Sequence, residues 1–298
     1  MLPIWISFRI GSHKVISRYL SYYLNRGPRE GLMDARRITG HTKIMLLMAD
    51  PVSHVVGTEA ITAFMRAAGH DFVCVPVHVG ARDLATAIQA LRGFQNCVGS
   101  GVTIPHKISV LPLLDELTPR ARTIGSVNYI RRDADGKLTG DNVDGSGFVR
   151  GATEAGIQPA GLRVLLLGAG GAGRSLAFAL AEAGVAELVV SNRDHARAVG
   201  LVDAVSAAYP GASVRTGEAD ATGFDMVVNA TSLGMIGKED GDPVDFATLS
   251  ADMIVADIVM KPEKTRLLQA AEAKGCRLLV GRQMMDGQLA LARAFLGL

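Results

Sequence analysis

The residues best suited to chemistry by type and spacing form one short stretch. Gly168-Ala169-Gly170-Gly171-Ala172-Gly173 follows the run Arg163-Val164-Leu165-Leu166-Leu167 and leads into Ser175-Leu176-Ala177-Phe178-Ala179-Leu180. A short apolar run suits a parallel strand buried on both faces. The glycines permit a tight turn with close backbone approach, and the helix predicted after them offers free N–H groups and a positive dipole end. Together these features cradle a pyrophosphate. A glycine pattern alone also serves as a plain structural turn. Here a second strand, Glu187-Leu188-Val189-Val190, follows before Ser191-Asn192-Arg193, and the complete strand–turn–helix–strand order points to a dinucleotide site. No metal is expected. Cys74, Cys97 and Cys276 lie far apart without metal spacing and read as reduced core or near-core residues, and no HxxxH pair occurs.

The surrounding elements alternate. Strands are predicted at Lys43–Ala49, Asp71–Val77, Cys97–Gly99 running on toward Lys107, Val127–Arg132 and Lys137–Gly140, with helices at 58–68 and 81–91. This βαβ rhythm implies an α/β first domain with a largely parallel sheet. Asp133-Ala134-Asp135-Gly136 is a hairpin turn signal between the last two strands. Asp144 or Ser146 is predicted to cap a helix running to about Ala155, and Gly156–Gly161 reads as a linker. Beyond the glycine-rich stretch come a helix at 194–208 and strands near 213–215, 226–229, 253–257 and 277–280. A final helix, 283–296, has no further strand to serve and is expected to pack back on the first domain.

Composition sets the outer bounds. With 298 residues, 48% hydrophobic and 20% charged, the chain can bury two modest cores, and a net charge of +2 argues for no nucleic-acid partner. No apolar run is long enough to span a bilayer, so no membrane association and a cytoplasmic location are expected. Residues 1–40 differ: Arg9, Lys14, Arg18, Arg26, Arg29, Arg36 and Arg37 stand against only Glu30 and Asp34. The segment has some character of a transit peptide, but a poorly ordered basic extension, or a true start at Met33, is the preferred expectation.

Six separated stretches together resemble the shikimate dehydrogenase family. They are Val102–Lys107, Ile124–Asn128, Gly140–Gly145, Gly168–Gly173, Asn229–Met235 and Gly281–Gln288, and they span residues 41–298. The resemblance implies a two-domain α/β fold, with residues 41–155 plus 282–298 forming a substrate-binding, catalytic domain and 156–281 a Rossmann-type dinucleotide domain. It implies Lys107 as acid/base with Asp144 as its partner, and Thr103, Asn128 and Gln288 as contacts to the ring hydroxyls of a cyclic polyol. For the cofactor it implies the backbone of Gly168, Ala169, Gly170, Gly171 and Ala172 at the pyrophosphate. Thr231 and Ser232 would line the ribose–nicotinamide side, with Ile258, Gly281 and Met284 near the nicotinamide. Asn192-Arg193 with Arg197 resembles the clamp for a 2′-phosphate, whereas Asp194 would suit a free 2′-OH. NADP is slightly preferred over NAD. A monomer or homodimer is expected.

One departure concerns the substrate end. In the family, Pro-x-x-His is followed by Ser-x-Ser or Ser-x-Thr, whose hydroxyls grip a carboxylate; here Pro51-Val52-Ser53-His54 is followed by Val55 and Gly57 at those positions. Met260 stands where a tyrosine is usual and Gly101 where an asparagine is. A site that loses such donors loses affinity for the group they held. Two functions follow as expectations: an NAD(P)-dependent oxidoreductase acting on shikimate, quinate or a related cyclic polyol, or a nucleotide-binding regulatory or non-shikimate paralogue. Retention of Lys107 and Asp144 favours the enzyme. A folate-type dehydrogenase, sharing a similar two-domain plan, is disfavoured by the Asp144 and Gln288 motifs.

Overall fold

The strands build two six-stranded sheets, one after the other along the chain. The structure, a computed structural model, describes residues 38–298; the basic extension expected at 1–40 lies almost wholly outside them. Both sheets belong to one unit, Gly40–Leu298.

The first sheet takes its elements in the order β1 (Lys43–Ala49), α1 (Gly57–Ala67), β2 (Phe72–His78), α2 (Leu84–Gly93), β3 (Cys97–Val102), α3 (His106–Ser109), β4 (Glu116–Leu117), α4 (Pro119–Ile124), β5 (Tyr129–Arg132), β6 (Leu138–Asp141) and α5 (Asp144–Glu154). Its strand order is β2-β1-β3-β5-β6-β4. Period-2 alternation divides β1 between two cores. Leu46 and Met48 pack with Ile88, Leu91 and Ile130, while Met45 packs with Ile61, Met65 and Phe72. The expectation of a largely parallel sheet holds for five of the six strands, since β6 shares the direction of β3 and β4 is parallel to β6. β1 is parallel to β2 and β3, but β5 runs antiparallel to both β3 and β6. A hairpin must reverse direction, and the Asp133–Gly136 turn does so through Gly136 at φ +87°.

The second sheet is wholly parallel. It runs through β7 (Arg163–Leu167), α6 (Gly171–Glu182), β8 (Glu187–Ser191), α7 (His195–Ala208), β9 (Val214–Thr216), β10 (Met226–Asn229), β11 (Ile254–Asp257), α8 (Arg266–Ala273), β12 (Arg277–Leu279) and α9 (Gly281–Leu296). The order β9-β8-β7-β10-β11-β12 is the Rossmann 3-2-1-4-5-6 arrangement. Each central strand is apolar on both faces. Val164 and Leu166 meet Leu176, Leu180 and Leu201, whereas Leu165 and Leu167 meet Leu267 and Leu268. Helix α8 carries no sequence prediction above, although parallel β11 and β12 require such a crossover.

The final helix, α9, crosses back as expected, lying chiefly on α5 and also on β5 and α1. Glycines let α9 and α5 touch backbone to backbone. A Cβ on Gly287 would stand 2.2 Å from the Gly147 carbonyl oxygen, and one on Gly151 would stand 2.2 Å from that of Gln283. This close crossing carries Gln288 into the region of the first sheet's hairpin.

Candidate active site

Hairpin register brings the first two site residues together. Tyr129 pairs with Asp141, and the preceding Asn128 donates its N–H to the Asp141 carbonyl at 2.9 Å. Asp144, three residues after the end of β6, therefore lies beside Asn128, whose Nδ2 donates to Asp144 Oδ1 at 2.9 Å. Lys107 arrives from β3. Its turn, α3, is held by the buried His106, whose Nε2 is 2.6 Å from the Val79 carbonyl, and by Val127 N–H donating to the Lys107 carbonyl at 2.8 Å. The Lys107 ammonium donates to Asp144 Oδ2, with side-chain exposures of 13% and 4%. A pair this dry persists only with good geometry and further hydrogen bonds, and Asn128 supplies one of them.

The predicted cap is not made by Asp144. It occupies the first residue of α5, where an anion is favoured by the helix dipole. The N–H groups that begin this helix are met from elsewhere: Val143 by Asn128 Oδ1 at 2.9 Å, Asp144 by Asn142 Oδ1 at 3.0 Å and Gly145 by Ser175 Oγ at 2.9 Å. The carboxylate is thereby free to face Lys107. Gln288 closes the group, its Oε1 3.4 Å from Asn128 Nδ2. Both Nδ2 hydrogens of Asn128 are then engaged. Thr103 lies half-buried just past the end of β3, its N–H on the Met48 carbonyl.

The glycine-rich turn lies at the point where strand order reverses, between the ends of β7 and β10. Gly168 adopts φ +106°, and a Cβ there would meet Thr231 Cγ2 at 3.0 Å; one on Gly173 would meet the Gly168 carbonyl oxygen at 2.0 Å. At Gly170, by contrast, nothing lies within 4 Å of a built Cβ. The tip is open, as a phosphate cradle requires. Asn192 Oδ1 accepts from Ala169 N–H at 3.0 Å, tying the turn to β8. Asp194 caps α7, accepting from Arg197 N–H and pairing with Arg197 Nε at 3.2 Å; Arg193 is exposed. The Thr231 hydroxyl donates to Asn229 Oδ1 at 2.7 Å and accepts from Leu233 N–H at 3.1 Å, so it shapes its own loop. Ser232 and Ile258 are half-buried, and Gly281 and Met284 are buried at the start of α9.

The two halves of the site touch at Gly171. A Cβ there would lie 3.1 Å from Lys107 Cβ and 3.3 Å from its Cδ, so the lysine stem runs along the glycine-rich turn. A cleft of about 530 Å³ opens between the start of α1 and the segments leading into α8 and α9, lined by Val55, Thr58, Met260, Lys261 and Arg282 among others. At Gly57, a Cβ would meet the Met285 methyl at 2.8 Å; at Gly101, it would meet Leu47 Cδ1 at 2.5 Å. At the two glycine departures an apolar side chain therefore occupies the space a larger residue would need, whereas Val55 and Met260 line the cleft. Among the described residues no group of His, Cys, Asp and Glu could hold a metal, and no helix is long and apolar enough to cross a membrane. The sequence singled out no role for Ser126, Asn142, Ser175 or Asp257; all four are buried polar residues of the site's frame.

Residues 47–130 match the family described as the shikimate dehydrogenase substrate binding domain, and residues 152–259 match shikimate / quinate 5-dehydrogenase. The shikimate dehydrogenase (NADP(+)) of Geobacter metallireducens is 38% identical over 86% of this chain and 92% of its own. A shikimate 5-dehydrogenase from Listeria monocytogenes, solved in complex with shikimate and NAD, superposes with a TM-score of 0.76 at 33% identity, covering 86% of this chain and 92% of that one. The ligand-free 5-ketofructose reductase of Gluconobacter sp. strain CHM43 gives 0.74 at 31% identity, with 85% and 92% covered. On these grounds, joined to the order of both sheets, the chain belongs to the shikimate dehydrogenase family.

Proposed function

We propose that the chain is an NAD(P)-dependent dehydrogenase that interconverts a ring hydroxyl and its ketone on a cyclic polyol. The observation that carries this reading is the buried Lys107–Asp144 pair whose lysine stem lies on the glycine-rich turn. Residues 41–155 with 282–298 serve the substrate, and 156–281 serve the nucleotide. When bound, the nicotinamide supplies or accepts the hydride. The first-turn N–H groups of α6, from Gly171 and Ala172 onward, hold the pyrophosphate beside Gly168, Ala169 and Gly170. Thr231, Ser232, Ile258, Gly281 and Met284 flank the nicotinamide side.

In ketone reduction the Lys107 ammonium gives its proton to the alkoxide oxygen, and in alcohol oxidation the amine takes it back. Asp144 holds the ammonium, and Asn128 holds Asp144. Gln288 and Thr103 bind ring hydroxyls, with the remaining acceptor capacity of Asn128 beside them. NADP is the preferred nucleotide: Arg193 and Arg197 flank the adenine-ribose end, and Asp194 is already paired with Arg197. Asn192 fixes that corner.

A second reading concerns the substrate alone. Val55 has no hydroxyl and the Met285 methyl stands where a side chain on Gly57 would go, so the expected pair of hydroxyl donors is missing, and one similar structure is a reductase named for 5-ketofructose. The test is an absorbance assay of the reduced nicotinamide, using shikimate and quinate each with NADP+ and NAD+, 5-ketofructose with NADPH and NADH, and Lys107→Ala as control. Turnover of shikimate or quinate that the variant lacks establishes the first reading. Turnover only of the neutral ketone establishes the second. Silence with all six pairs, with nucleotide bound, overturns both.

A further inference from the structure

We propose that Asn142, with Ser126 and Ser175, is a positioning device that sets the Lys107–Asp144 pair against the glycine-rich turn. All three side chains have zero exposure, and burying a hydroxyl or amide is costly unless each polar group is met. Here each is met. Asn142 Nδ2 donates to Ser126 Oγ at 2.7 Å, and Asn142 Oδ1 accepts from Ser175 Oγ at 2.7 Å and from Asp144 N–H at 3.0 Å. Ser175 Oγ accepts from Gly145 N–H at 2.9 Å, and Ser126 Oγ donates to the Gly171 carbonyl at 3.4 Å.

The outer contacts of this group explain its polarity. They are the first two N–H groups of α5, which carries Asp144, and the carbonyl of Gly171, against which the Lys107 stem lies. Ser126 itself adjoins Val127, whose N–H holds the Lys107 backbone. An apolar plug would fill the same space, but would not set the angle between α5 and α6. Directional bonds do so. A second tie lies alongside, where Arg174 Nε of α6 donates to the Ile124 carbonyl that ends α4. Asn142 thus joins a segment of the first sheet to a helix of the second, and Asp144 is placed from both.

The inference rests on the proposed roles of Lys107 and Asp144, and its test has one readout that needs no turnover. In Asn142→Ala and Ser175→Ala, Lys107 is assayed by its rate of modification with an amine reagent, read by mass spectrometry, alongside kcat, KM, nucleotide Kd and Tm. Ser175→Ala stays within a helix that favours alanine, so it remains informative if Asn142→Ala does not fold. Lys107 labelling is expected to rise at least about fivefold as the pair loosens, and kcat to fall about 10- to 100-fold with KM and nucleotide Kd little changed. Labelling and kcat at wild-type values, with only Tm lowered, would show mere helix capping and overturn the proposal. Raised labelling in a protein inert toward every substrate tested would uphold the positioning role while the proposed function fell.

Discussion

Asp144 and Asp257 are both buried carboxylates, and their surroundings differ in kind. Asp144 faces a cation, Lys107, with Asn128 beside it. Asp257, at the end of β11, has no cation among the described residues. Thr265 Oγ1 donates to it at 2.7 Å, Val259 N–H at 2.9 Å and Asn229 Nδ2 at 3.1 Å. Burial pushes the Asp257 carboxyl up, against those hydrogen bonds, which favour its anion. The contrast separates two uses of one side chain. The first holds a lysine ammonium in place; the second fastens three loop ends, through Asn229 reaching Thr231 and Leu233. A buried acid is therefore not by its burial a catalytic one.

The largest expected effect breaks the first cluster alone. Lys107→Ala should lower kcat about 10³-fold with nucleotide affinity kept, whereas Asp257→Asn should change kcat less than about tenfold. Equal losses would erase the distinction. Next comes stability. Asp144→Ala strands the Lys107 ammonium and should cost about 3 kcal/mol in denaturant unfolding. Adding Lys107→Ala should return part of that loss, and a double variant as weak as the sum of the singles would show that no pair existed.

The pH dependence sharpens the comparison further. With its folded carboxyl above the unfolded value, Asp257 contributes most favourably below the ordinary carboxylate range, and this is lost as pH rises through the raised folded value. Relative to Asp257→Asn, the wild-type Tm should therefore gain between about pH 7 and about pH 4; parallel profiles would refute the shift. The smallest effect is an inertness. Burial, with Cys97 nearby, pushes the Cys74 thiol up to about 12, and burial raises Cys97 as well. Neither should alkylate in the native protein at neutral pH, and prompt labelling by iodoacetamide would contradict their packing.

Much of the second sheet was legible because parallel strands buried on both faces are continuous apolar runs, as Val164–Leu167 and Leu188–Val190 are. The glycine-rich turn was legible for a similar local reason. Less could be read in the first sheet. Strand β4 is two residues long and α3 only four, too short for any period to register. The hairpin turn signalled the β5–β6 pair, but the antiparallel pairing of β5 with β3 had no local signal. Asp144 read as a cap because an aspartate before a helix commonly is one. Three side chains from other positions took that duty, which no local pattern reports.

Local patterns along the chain mark most of the longer strands and helices, the place of the glycine-rich turn and the residue types available for proton transfer. These follow from periodicity, glycine spacing and side-chain chemistry, all local along the chain. Tertiary structure alone decided which of those residues meet. Asn128 and Gln288 are 160 positions apart, and they touch because Gly147, Gly151 and Gly287 let two helices approach to backbone contact. Contact across such a span depends on strand register, helix crossing and buried hydrogen-bond direction together, and none of these is a property of any single stretch.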